Sequence, residues 1–195
     1  MILSATYTIS DCIDVISGAT DQSSKFGSNV SLRNSGTGSI TYDSTNQRYS
    51  INITREGESY IPITSCNGLD DFVIEFDGYF DYLFYLGLTI YSDGNNWARF
   101  GIKTDWAEYG IKSNGSYSEA NITNVTTTTG TWTHHKYTIT NNTIRLEVYN
   151  GSTLLYDSTR TYDSSWFTSN TKYGFVQLWA TSWHQYFKNL QIKPL

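Results

Sequence analysis

The sequence predicts an all-β chain folded as a two-sheet antiparallel jelly-roll sandwich. Three observations predict it. Apolar residues fall at period two almost everywhere, no amphipathic helix runs longer than a turn or two, and Gly and Asn turn signals recur between short strands. At 195 residues the chain suits a single sandwich spanning 1–195 around one core, and strands that carry three core residues per face fit a double-sheet jelly roll at this length.

The elements follow in order. Residues 5–9 alternate and read as a first strand, and residues 18–38, rich in Ser, Asn, Gly and Thr, read as loop. Residues 48–54 resume the alternation. Residues 59–63 carry Pro62, which suits an edge or irregular strand because proline cannot donate to a ladder.

The stretch from Asp71 to Asp105 is the clearest: three strands in which Phe72, Ile74 and Phe76 oppose Glu75 and Asp77; Phe84, Leu86, Leu88 and Ile90 oppose Tyr85, Thr89 and Tyr91; and Ala98, Phe100 and Ile102 oppose Trp97, Arg99 and Lys103. One side is core. The other collects carboxylates, tyrosines, Arg and Lys, a furnishing suited to binding. Further strands are expected over 109–112, 132–140, 144–149, 154–161 and 172–180. Asn114-Gly115, Asn141-Asn142 and Asn150-Gly151 supply turns, and residues 126–131 read as an exposed connection.

Bulk properties exclude several partners. Only 16% of residues are charged and the net charge is −5, so there is no basic footprint for nucleic acid or an anionic membrane surface. No segment is apolar for the length of a membrane span, and no secretory leader is evident. Export by another route, a trimmed leader and release within a larger particle all stay open, and the protein is expected outside the cell, on a cell surface or on a virion.

Cys12 and Cys66 read either as two buried thiols or as one disulfide. Asn-x-Ser/Thr triplets begin at Asn29, Asn52, Asn114, Asn121, Asn124, Asn141 and Asn150, in a composition that produces such triplets by chance.

The succession 72–77, 86–102 with its Ser92-Asp93-Gly94-Asn95-Asn96-Trp97, 143–151 and the closing 186–194 resembles the concanavalin A-like lectin/glucanase superfamily. The resemblance covers roughly residues 70–195. It implies two curved sheets with a carbohydrate on the concave one. Within the superfamily, the Ser/Thr/Asn/Tyr-rich surface is most similar to tail-fibre or adhesin modules.

Glu75-Phe-Asp77 invites comparison with laminarinase-like glucanases, whose catalytic strand reads Glu-x-Asp-x-x-Glu. Retaining hydrolysis needs two carboxyls about 5 Å apart, and here Phe80 stands where the last Glu belongs, with Tyr79 before it. Hydrolysis would need another carboxylate such as Asp81 or Glu108, so no catalytic residue is assigned. His134 and His135, adjacent on one strand, diverge rather than chelate one ion, and no metal site is assigned. A structural calcium held by Asp11 and Asp14, or by Asp70 and Asp71, is the rival reading, and no other cofactor is expected. No Gly-x-Ser-x-Gly and no phosphate loop is present.

The function expected is non-catalytic carbohydrate or receptor binding in a virion, tail-fibre or cell-surface assembly, with a glycan or cell-surface polysaccharide as partner. Stacking falls to Tyr91, Trp106 and Trp179, and hydrogen bonding to Glu75, Asp77, Arg99, Lys103 and Gln177, with Phe175, Gln177 and Trp179 on one face. For each of these the plainer alternative is a core position or a solvated strand face. Two other functions stand beside it: an assembly protein using the same aromatic surface in a homo-oligomer or larger particle, and a polysaccharide-cleaving glycosidase or lyase.

Overall fold

The computed structural model describes residues 19–33, 37–53, 58–63, 71–80, 85–103, 106–123, 125, 127, 129–166, 171–178 and 185–195. Among these residues there are fourteen strands and no α-helix, and no helix is long and apolar enough to cross a membrane.

Two seven-stranded sheets share the strands. The first runs, in spatial order, β1 (Val30–Arg33), β4 (Glu58–Pro62), β13 (Lys172–Leu178), β6 (Leu86–Asp93), β7 (Asn96–Ile102), β8 (Trp106–Ser113) and β9 (Ser116–Thr123). The second runs β12 (Thr153–Thr161), β11 (Thr143–Asn150), β10 (Thr133–Ile139), β5 (Phe72–Phe80), β14 (Gln185–Pro194), β3 (Arg48–Ile53) and β2 (Gly38–Asp43). Every pairing is antiparallel. The jelly-roll sandwich expected from the alternation is the architecture observed.

Alternation sorts each strand into a core face and an outer face. Phe72, Ile74 and Phe76 of β5, Leu86, Leu88 and Ile90 of β6, Ala98, Phe100 and Ile102 of β7, and Tyr137, Ile139, Ile144, Leu146 and Val148 of β10 and β11 are all buried in one cluster between the sheets. Its centre is aromatic: Phe175 stacks on Phe187 at 4.3 Å between ring centroids, Tyr49 stacks on Phe187 at 5.1 Å, and Phe26 closes edge-on at 5.5 Å. Rings of this size supply large buried apolar areas and pair favourably in such geometries.

Several expectations are corrected. The loop-rich run 18–38 also holds a short 3-10 turn (Ser23–Lys25), β1 and the start of β2; β1 and β2 carry only two apolar residues each, too few to mark a strand. β4 is not an edge strand, because β1 and β13 flank it. Pro62 is tolerated as its last residue, where its carbonyl accepts from Gly27 N at 2.8 Å. The strand expected over 109–112 begins earlier, with Trp106 opening β8. Phe175 is core, so the face it shares by alternation with position 177 is not an outer platform. The expected strand at 5–9, both cysteines, Asp11, Asp14 and Asp70 lie outside the described residues.

Candidate functional site

The outer face of the first sheet carries Glu58 and Tyr60 from β4, Thr89 and Tyr91 from β6, Trp97 and Arg99 from β7, Trp106 and Glu108 from β8, and Tyr117 and Glu119 from β9, each alternating with the core residues beside it. β1 and β9 are the two edges of this sheet. In a flat sheet they would stand six interstrand steps apart, about 29 Å, which two side chains do not bridge. Yet the Arg33 guanidinium of β1 lies 4.3 Å from the centre of the Tyr117 ring of β9. The sheet therefore curls strongly towards its outer side, and this face is concave.

Curvature brings charges from distant strands together around Arg99, which is fully buried. Its Nε donates to Glu58 of β4, its Nη1 lies 2.5 Å from Glu108 Oε1, and its Nη2 donates to Glu119 Oε2 at 2.9 Å and to Tyr117 Oη at 2.8 Å. Two further cations complete the cluster: Arg33 Nε lies 3.1 Å from Glu58 Oε2, and Lys103 Nζ lies 2.8 Å from Glu108 Oε2.

Burial works against the charge on Arg99, but Tyr85, Glu58 and Glu108 outweigh it and hold the guanidinium protonated. Burial pushes the Glu58 carboxyl up despite Arg99 and Arg33. Glu108 is also opposed by burial, yet Arg99 and Lys103 bring it below the ordinary carboxylate value. Both carboxylates lie within ion-pair distance of cations, Glu58 of Arg99 and Arg33 and Glu108 of Arg99 and Lys103.

Close backbone approach makes room at the bottom of the trough. Gly87 and Gly101 face each other across β6 and β7, and the Tyr85 ring lies over both: a Cβ on either would come within 2.8 Å of that ring. Tyr85 Oη donates to the Glu108 carbonyl at 3.3 Å. Around this floor rings are layered, Tyr60 on Tyr91 at 5.0 Å and Trp97 against Tyr117 at 5.5 Å.

Tyr91, Trp106, Tyr117 and Lys103 stay partly exposed at the rim, with Lys103 Nζ 4.9 Å from the Trp106 ring. Tyr60 Oη, Thr89 Oγ1, Trp97 Nε1 and Trp106 Nε1 are buried without a hydrogen-bond partner among the described residues. Such atoms ask for water or ligand hydroxyls.

Of the eight residues expected to share one binding face, the structure brings together Tyr91, Arg99, Lys103 and Trp106. Arg99 sits beneath the surface as the organiser of its neighbours rather than as an exposed donor. Glu75 and Asp77 do not join them, because β5 belongs to the second sheet and its outer face looks the opposite way. There His134 bridges the two, with Nε2 3.3 Å from Glu75 Oε2 and Nδ1 3.1 Å from Asp77 Oδ1. Lys193 holds Glu75 at 3.0 Å, and Asn189 donates to Asp77 Oδ2 at 2.7 Å.

Gln177 pairs with Ser59 through the β13–β4 register, its side chain lying outside what is described, as does all of Trp179. Glu58, Tyr60, Glu119 and Tyr117 of the concave face were missed. Their strands carry weak alternation, and the sequence holds no signal that β4 and β9 flank the same trough. Among the described residues no group of three or more His, Cys, Asp or Glu is placed to hold a metal ion. His134 and His135 do diverge, His135 being buried and His134 half-buried.

No protein-family model matches the sequence, and no curated protein matches it. Solved structures do match in shape. The carbohydrate binding module CBM66 from Bacillus subtilis aligns over 86% of this chain and 96% of its own, at 16% identity and a TM-score of 0.55. The VIP36 exoplasmic/lumenal domain, in its Ca2+/Man3GlcNAc-bound form, aligns over 84% of each chain at 12% identity and a TM-score of 0.59. Peanut lectin aligns over 85% of this chain and 97% of its own, at 10% identity and a TM-score of 0.54. The fold is the concanavalin A-like jelly roll.

Proposed function

We propose that this chain is a non-catalytic glycan-binding module, serving a virion, tail-fibre or cell-surface assembly, and that the concave face of the first sheet receives the sugar. One observation carries the reading: Tyr91, Tyr117 and Trp106 are half-exposed at the rim of a trough whose floor is locked by Arg99. Pyranose rings present C–H faces that stack on such side chains, and their hydroxyls suit the unpartnered Tyr60, Thr89, Trp97 and Trp106 polar atoms. The likeness in fold to a carbohydrate binding module and to lectins supports sugar binding. Absence of catalysis is supported by the commitment of Glu58 and Glu108 to Arg99, Arg33 and Lys103.

The test is a glycan array probed with the purified chain and with Trp106→Ala and Tyr91→Ala. The wild-type chain should bind a restricted set of glycans, and each variant should lose about tenfold in affinity, about 1.4 kcal/mol. A blank array would remove the sugar, and full affinity in both folded variants would remove the concave face. Release of reducing ends or unsaturated products from any bound glycan would replace binding by cleavage.

A further inference from the structure

The outer face of the second sheet carries a second constellation. Trp132, just before β10, Tyr79 of β5 and Tyr186 of β14 stand side by side across adjacent strands, because Thr133 pairs with Gly78 and Tyr186 with Tyr79. Their ring centroids are 5.3 and 5.8 Å apart, and all three are partly exposed. The strip thus runs perpendicular to the strands with a step close to the interstrand spacing, about the advance per residue of an extended glycan chain.

Cations mark both ends. Lys188 Nζ lies 4.3 Å from the Trp132 ring centre, and the Arg48 guanidinium lies 3.5 Å from the Tyr186 ring centre. On the same face Arg48, Lys136, Arg145 and Lys193 each have a carboxylate within ion-pair distance. Lys188 has none among the described residues, and the adjacent Asp77 already accepts from Asn189 and binds His134. The strip therefore pairs stacking surfaces with an ammonium that no described carboxylate meets at ion-pair distance, although Asp77 across the ladder feels its charge.

We propose that this strip is a second glycan site, on the face opposite the concave trough, for an extended chain of uronate sugars. Pyranose faces lie on Trp132, Tyr79 and Tyr186, and a uronate carboxylate pairs with Lys188. The strip stands apart from the trough, so either site can fail without the other.

Affinity electrophoresis through gels containing polygalacturonate or neutral xylan tests it. Wild-type chain should be retarded by polygalacturonate and not by xylan, and the retardation should weaken as salt is raised. Lys188→Glu should cut the affinity at least tenfold, Trp132→Ala should weaken it, and Trp106→Ala in the trough should leave it unchanged. Thermal unfolding of each variant separates lost binding from lost fold, and Lys188→Glu, altered at a surface ammonium, serves if Trp132→Ala does not fold. Equal retardation by xylan, full retardation of Lys188→Glu, loss in Trp106→Ala, or no retardation of the wild type would each overturn the proposal.

Discussion

His134 and His135 are neighbours on β10 whose protons respond oppositely to the fold. A hydrogen bond with Asp77 raises the His134 pKa against the drag of burial, with Glu75 adding to it. Burial lowers His135 to about 3; its ring stacks on Phe76 at 5.0 Å, and its Nε2 meets Thr133 Oγ1 at 2.9 Å. For His134 the stabilisation is complete below the unfolded value, about 6.5, and disappears as pH rises through its raised folded value.

The partner Asp77 is opposed by burial but held below the ordinary value by hydrogen bonds from His134 and Asn189, so its stabilisation fades only as pH falls through that lowered value. His135 adds a penalty of the other sign: as pH drops from about 6.5 towards 3 the unfolded chain takes up a proton that the fold excludes. Unfolding midpoints measured against pH should show His134→Asn losing stability relative to wild type in mildly acidic buffer and converging with it in alkaline buffer. His135→Phe should flatten the acid limb by a few kcal/mol.

Arg99 makes a second case at this scale. Removing a buried guanidinium strands Glu58 and Glu108, so Arg99→Met should destabilise by about 3–5 kcal/mol. The combined Glu58→Gln, Arg99→Met, Glu108→Gln chain should recover much of that loss. Additive losses in urea titrations would mean that the three do not act as a unit.

Among elements, β6 and β7 approach closely where Gly87 faces Gly101. A Cβ at Gly101 would come within 2.6 Å of Gly87 Cα and displace the Tyr85 ring, so Gly101→Ala should cost about 1–3 kcal/mol and expose Tyr85, detectable by urea unfolding and tyrosine fluorescence.

The same pair illustrates what the sequence could tell. β5, β6, β7 and β11 were legible because three apolar residues recur at every second position; β1 and β2 were not, because each carries only two, Val30 with Leu32 and Ile40 with Tyr42, and β9 mixes Ser116, Ser118, Ala120 and Ile122 along one face. The strand position of Trp106 follows from its pairing with Thr123, which no period in the sequence reports.

For the whole molecule the limit of sequence reading is sheet membership. Period two says which residues of a strand share a face, yet it is silent on which sheet the strand joins, so Glu75 and Asp77 were grouped with Arg99 although a full sandwich separates them. The curl of the first sheet was implied by the resemblance and not by the period; in the molecule it shows in the contact between the two edges and in the charges gathered around Arg99.

Arg33→Ala tests the importance of those contacts. It should change global stability by no more than about 1 kcal/mol while markedly speeding hydrogen exchange at the amides of β1. Unchanged exchange there would mean that the curl is maintained by the backbone alone.

That edge contact sets how the trough can respond to an occupant. A barrel closes by a complete ladder between first and last strands, and opening it breaks every bond of that ladder. Here, among the described residues, the two edges meet only where one guanidinium rests on one ring, and beneath that contact Arg99 ties Glu58 of β4 to Glu119 and Tyr117 of β9, so the lip is free to move only above a buried tie. The trough thus has a light contact at its lip over a stiff buried tie, and residue 33 is the position where the lip can be altered without touching a core residue.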